Sequence, residues 1–286
     1  MLYLFVMKSV AIVSSCLFMT SLVGVFAFPD AIDAVDGRIY QLTTIIEKVS
    51  NRVSIGAAYE ALEPSTKYVG VVEGSRREEI ATSCQQKLGW DNTETDAFAG
   101  TLSCSTKNDE GYFLPGVYLV DKDSSPRDIK LEMKTRFDDA LRQKAIELGA
   151  DPNRIDLDTV ITVASLIQRE AASSRDMGLI SGIIWNRLAV GMPLQVDATL
   201  QYIKGKDGKW WPYVLSKDKY IDSPYNTYEY KGLPPTPISN PGIAAIGAAL
   251  SPEKTDCLFY LHDKYGRIHC SKTYEEHKAY VNKYLR

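Results

Sequence analysis

From Ser9 to Phe28 the chain carries no charged side chain, and Val, Ile, Leu, Phe and Met dominate the run. Lys8 precedes it, and Pro29 with Asp30 ends it. An α-helix crosses a bilayer with about 20 apolar residues. The run therefore reads as an N-terminal transmembrane anchor over 9–28, with 1–8 a short cytoplasmic tail. Two other readings of the same residues stay open. One is a signal peptide cleaved after Ala27 in Val25-Phe26-Ala27. The other is a lipoprotein signal at Val13-Ser14-Ser15-Cys16. All three put the rest of the chain outside the cytoplasm.

Export gives the cysteines a meaning. Cys16 lies in the apolar run, which leaves Cys84, Cys104, Cys257 and Cys270 where disulfides persist. Cys257 and Cys270 flank two β-type runs joined by a polar turn from His262 to Gly266, the pattern of a hairpin. A Cys257–Cys270 bridge is the expected pairing, with Cys84–Cys104 second. The formal net charge of -3 supplies no basic field for nucleic acid. His262, His269 and His277 lack HExxH spacing and read as surface or hairpin residues rather than zinc ligands. Ser251-Pro252-Glu253-Lys254 is a lone S-x-x-K without the partners that a penicillin-binding transpeptidase requires. No Gly-rich phosphate loop is present, and no metal or cofactor is expected.

Residues 29–67 read as a stalk or linker. A small module is expected over 68–109: a β-type run at Tyr68–Val72, a turn, and an amphipathic helix from an N-cap at Ser75 to Leu88, with Ile80, Cys84 and Leu88 on its inner face. Residues 110–286 then form a larger mixed α/β domain, and the fold class is α+β. Within it a strand broken at Leu114-Pro115-Gly116 precedes a long helix from Ser125-Pro126 to Leu148. Further helices are expected at about Asp158–Ala172, Arg175–Val190 and Ile243–Leu250, and another from Thr273. Between Pro193 and Gly242 the chain is rich in Tyr, Pro, Asn and Gly. A loop region that long is expected to build a site.

The chemistry centres on Glu170. It lies i+7, i+4 and i+3 from Val163, Leu166 and Ile167, on the apolar face of its helix. Desolvating a carboxylate is costly and raises its pKa, and a Glu kept neutral near pH 7 is what a general acid needs. The alternative is a Glu that reaches solvent from the helix end. In the loop region Gln195–Tyr202 alternates as an edge strand would, presenting Gln195, Asp197 and Thr199 on one face. Ser223, Tyr225, Asn226, Thr227 and Tyr228 follow, then Pro237 and Asn240. Amides, hydroxyls and tyrosine rings of this kind suit a sugar, which makes these ten residues the substrate-binding candidates.

At these residues the chain resembles the endolytic murein transglycosylases, the YceG-like family. The resemblance is carried by Thr162-Val163-Ala164-Ser165 with Glu170, Asn186-Arg187-Leu188, Gly191-Met192 and Gln195-Val196-Asp197-Ala198-Thr199. It continues through Ser223-Pro224-Tyr225-Asn226-Thr227-Tyr228, Gly232-Leu233-Pro234-Pro235, Pro237-Ile238, Asn240-Pro241-Gly242 and Ala248-Ala249-Leu250-Ser251-Pro252. Upstream, Val72-Glu73-Gly74-Ser75 and Glu110-Gly111-Tyr112-Phe113-Leu114-Pro115 resemble the family's small LysM-like subdomain and its junction with the catalytic domain. The resemblance implies Glu170 as the catalytic residue and a single-pass anchor in the cytoplasmic membrane. It implies cleavage between N-acetylmuramic acid and N-acetylglucosamine with 1,6-anhydro ring formation, terminating strand elongation. The implied partners are glycan strands, with peptidoglycan synthases as associates. The competing reading is a non-catalytic, membrane-tethered peptidoglycan-binding scaffold, and a two-carboxylate hydrolase is a third. Gln168 stands where the family often has an acid, and Lys204–Tyr220 and Ala31–Glu63 depart from its pattern.

Overall fold

The computed structural model describes residues 65–100 and 109–286. The expected tail, anchor and nearly all of the stalk, together with Cys104, lie outside the described residues. Among the described residues no helix is long and apolar enough to cross a membrane.

Among the described residues the architecture is mixed α and β, with the strands in two separate antiparallel pairs. Strand β1 (Thr66–Val71) pairs with β2 (Gly116–Asp121) in the register Val69↔Tyr118. Helices α1 (Arg77–Leu88) and α2 (Asn92–Ala99) follow β1 in sequence. Val69, Val71, Ile80, Cys84, Trp90, Phe98, Phe113 and Tyr118 bury together as a small core. This core draws β2 and the start of the next helix from beyond residue 109, because β1 alone has no strand partner within 68–100.

Helix α3 (Pro126–Glu147) ties this core to the larger one. Ile129, Met133, Phe137, Leu141 and Ala145 recur every four residues and are all buried. Such spacing makes one continuous stripe on a helix. Its first two members pack in the small core, and Phe137 and Leu141 pack in the large one. The large core surrounds α4 (Leu157–Glu170), in which every residue from Val160 to Ile167 is buried. Helices α5 (Met177–Ala189) and α7 (Ile243–Leu250) pack against it. Helix α6 (Asp197–Lys204), strands β3 (Phe259–His262) and β4 (Ile268–Ser271) and helix α8 (Tyr274–Tyr284) complete the described elements apart from two short 3₁₀ turns.

Three expectations change. Gln195–Tyr202 is not an edge strand: from Asp197 it is helix α6, because the partners that a strand would need are absent there and Ala198, Thr199 and Leu200 bury as a helix turn. Helix α1 starts one residue later than expected, with Arg76 as its cap residue and the Glu79 carboxylate accepting from the Arg76 N–H at 2.9 Å. The Ser75 carbonyl is instead taken by Asn240. Cys84 is a buried free thiol, not half of a Cys84–Cys104 bridge, and burial pushes it up to about 12. Cys257 and Cys270 are joined, with Cα atoms 5.8 Å apart, within the distance a disulfide spans.

Helix α5 leans closely on the segment before the hairpin. A Cβ on Gly182 would lie 2.2 Å from the Glu253 carbonyl oxygen, which is backbone and cannot step aside. Gly182→Ala is expected to destabilise by about 2 kcal/mol through overpacking, seen as a lowered urea midpoint; an unchanged midpoint contradicts this packing.

Candidate active site

Glu170 is the last residue of α4, and the chain turns to extended backbone at Ala171. The three polar residues that end this buried helix go to three places. Gln168 reaches the joint between the two cores, where its Oε1 accepts from the Gly242 N–H at 2.9 Å. Arg169 lies over the Trp211 ring at 3.7 Å. Glu170 enters a groove of about 820 Å³. Gln168 therefore does not stand in for a supporting acid beside Glu170.

The groove is walled by three parts of the fold. Arg187 comes from α5, and Met192, Leu194, Gln195 and Asp197 come from the approach to α6. Phe259, Tyr260, Leu261 and His262 come from β3, with Tyr274 and His277 on α8 beside them. Lys219 and Tyr228 close the rim.

Burial raises the Glu170 carboxyl above the ordinary carboxylic range, and the neighbouring negative charge of Asp197 adds to the rise. A hydrogen bond from Tyr260, the Ala198 backbone N–H and His262 oppose it. The Tyr260 hydroxyl donates to Oε2 of Glu170 at 2.6 Å. Burial, then the adjoining Glu170 carboxylate, pushes the Tyr260 phenol well above its usual value, so it remains a donor. Asp197 is exposed to the groove and accepts from the Tyr228 hydroxyl at 2.6 Å. The Arg187 guanidinium donates to the Leu258 carbonyl at 2.6 Å and the Leu194 carbonyl at 2.5 Å, fastening the β3 side to the α6 side beneath the groove. Gln195 holds φ at 52°, a left-handed conformation uncommon for a side chain-bearing residue. Its N–H donates to the Thr227 carbonyl at 2.9 Å, which holds that turn in place at the edge of the groove.

Of the sequence candidates, Glu170, Gln195, Asp197 and Tyr228 meet in the groove. The other seven do not line it. Thr199 and Thr227 are buried with their hydroxyl oxygens 3.1 Å apart, and the Thr227 hydroxyl accepts the Val196 N–H. Asn226 is buried and donates to the Lys219 and Ile221 carbonyls. The Ser223 hydroxyl accepts from the Tyr225 N–H, and the Tyr225 hydroxyl meets Thr236 at 2.7 Å. Pro237 is packed over Gly111, and Asn240 is buried at the joint between the cores. Loop residues of sugar-binding type thus serve here to fold the loops.

Sequence reasoning missed the hairpin wall. His262 lies in the hairpin, as expected, and His277 on α8; both line the groove, as do Phe259, Tyr260 and Tyr274. Alternation along β3 was the available signal: Tyr260 and His262 share one face. Lys204–Tyr220 also acquires a role away from the groove. The Trp211 indole donates to the Glu79 carboxylate at 2.9 Å, and Arg76 lies over the Tyr202 and Trp210 rings at 4.1 Å and 4.9 Å. This stretch docks α1 against α6.

Residues 44–283 match the YceG-like family. A Bacillus subtilis protein described as an endolytic murein transglycosylase is 39% identical over 177 residues, 62% of this chain. A Streptococcus pneumoniae protein of the same description is 30% identical over 179 residues. The chain spans 48% of the first relative and 32% of the second. A crystal structure of a yceG-like protein from Listeria monocytogenes superposes with a TM-score of 0.63 at 31% identity, covering 74% of this chain and 75% of that one.

Proposed function

Since the chain belongs to the YceG-like family, we propose that it is an endolytic lytic transglycosylase of peptidoglycan, with Glu170 as its catalytic acid and base. The observation that carries this is a half-buried carboxyl, raised above its ordinary value by desolvation, that enters a groove of about 820 Å³ and is held by a phenol donor.

The reaction follows from that one group. Neutral Glu170 delivers its proton to the oxygen bridging C1 of N-acetylmuramic acid and C4 of N-acetylglucosamine. The C1–O bond breaks, the glucosamine leaves with a free hydroxyl, and positive charge develops at C1. Glu170, now a carboxylate, takes the proton from the C6 hydroxyl of the same muramic residue, and O6 closes on C1. One bond breaks, one forms, and the proton has passed from O6 to the leaving oxygen. The nucleophile is tethered to its target, which removes much of the entropic barrier of a water attack. Asp197 and Tyr228 face the same space and suit the sugar hydroxyls.

The remaining features are proposed with it. The anchor over 9–28 holds the chain to the cytoplasmic membrane with the groove outside, which the Cys257–Cys270 bridge supports. The β1–α1–α2 unit is the LysM-like element that holds the strand beside the groove. Cutting near the membrane terminates nascent strands, with peptidoglycan synthases as associates.

Mass analysis of strands digested by the full chain is the test. Chains ending in 1,6-anhydro-N-acetylmuramic acid are expected. Because Asp197 is a second carboxylate in the groove, a hydrolase is the rival, and new reducing ends would replace this reading with that one. Binding without new ends would leave only a scaffold.

A further inference from the structure

Resting on that reading of Glu170, we propose that the disulfide-closed hairpin β3–β4 is a positioning device for the acid, with Tyr260 as its point of contact. Tyr260 and Glu170 stand on separate elements 90 positions apart, and a bond of 2.6 Å joins them. Such a bond holds only if the hairpin is fixed relative to α4.

The hairpin is tied down at its root and stiffened at its tip. At the root Cys257 is joined to Cys270, and Cys270 is the cross-strand partner of Tyr260 itself. The Asn186 amide donates to the Thr255 and Cys257 carbonyls at 2.7 Å and 3.1 Å, and Arg187 donates to that of Leu258, so the root is tied to α5. At the tip Asp263 accepts from the Tyr265 and Arg267 N–H groups at 2.9 Å and 3.0 Å, and from the Arg267 side chain at 2.8 Å.

A phenol donor bonds an anionic oxygen more strongly than a neutral one. Tyr260 therefore stabilises the carboxylate that exists between proton delivery and proton recovery. It also keeps the acid from holding its proton too tightly at this half-buried position. Glu170 faces other groups as well: Asp197 and the Ala198 N–H from α6, His262 from β3, Arg187 from α5, Tyr228 from the rim, and Arg169 beside it on α4. Removing the hydroxyl leaves those in place.

The experiment compares wild type, Y260F, C257A/C270A and the triple variant as full chains on purified glycan strands. Y260F is expected to lower kcat by about tenfold, the order of one hydrogen bond to a charged group. KM should change by less than about twofold, and the alkaline limb of the pH profile should move upward. C257A/C270A is expected to shift both in the same direction by less, and the triple variant to match Y260F, since both changes act through one contact. A Y260F profile that superimposes on wild type overturns the inference, as does a bridge loss that adds in full to Y260F. A wild-type chain forming no anhydro ends overturns the transglycosylase reading, and this inference with it.

Discussion

Glu170→Gln is expected to lower the rate of anhydro-end formation by about a thousand-fold, within the range that general acid–base catalysis contributes. Glutamine keeps the size of the side chain and an oxygen that can accept from Tyr260, so the groove should keep its shape. It has no proton to give and cannot take one back. The same substitution has a stability signature with a definite sign. Burial raises the Glu170 pKa in the folded chain, so above the ordinary carboxyl range the folded state binds more protons than the unfolded one. Wild-type stability therefore falls as pH rises through that window. Glutamine does not titrate, so the melting temperature of the variant should gain on wild type from about pH 4 upward. Wild-type activity in the variant would end the assignment. A variant whose melting temperature fails to gain on wild type across that window would show that the carboxyl is not desolvated.

Asn240→Ala is expected to destabilise the chain by about 3 kcal/mol, because its amide serves three buried or half-buried groups. Its Oδ1 accepts from the Phe113 N–H at 2.9 Å, and its Nδ2 donates to the Ser75 carbonyl at 3.0 Å and Glu110 at 3.1 Å. Its backbone also pairs with Gly74 and Ser75 at 2.8 Å each. These bonds join the small core to the large one, and Glu110 is so buried that its carboxyl is pushed up to about 8. Urea unfolding measures the loss. Asn240 does not line the groove, so the folded fraction should keep the wild-type KM. A raised KM at unchanged stability would instead make Asn240 a sugar ligand.

These two residues illustrate what a linear reading can and cannot see. Both were picked out by chemical type: an acid on a buried helix, and an amide in a proline-rich loop. For Glu170 the local pattern was informative, although the periodicity argument was weaker than it looked. Val160 to Ile167 are buried all round, so an apolar face could not by itself say where the next three polar residues point. For Asn240, Asn226, Thr199 and Thr227 the chemical type was ambiguous. The same amides and hydroxyls that bind sugars also satisfy buried backbone groups, and here they do the latter.

The long helices, the turn between β3 and β4 and the Cys257–Cys270 pairing were legible because they rest on short-range signals: four-residue spacing, caps, and a hairpin that sets its own register. Residues 195–202 misled because alternation over so short a span is compatible with either state, and burial of Ala198, Thr199 and Leu200 against distant parts of the chain favoured a helix. The pairing of β1 with β2, the division of α3 between two cores, and the meeting of Tyr260 with Glu170 all depend on contacts between distant positions. Residue types and local spacing thus indicated most of the elements and singled out a candidate acid. Packing alone chose that acid's neighbours, because the free energy of a long-range contact depends on every element that brings its two ends together.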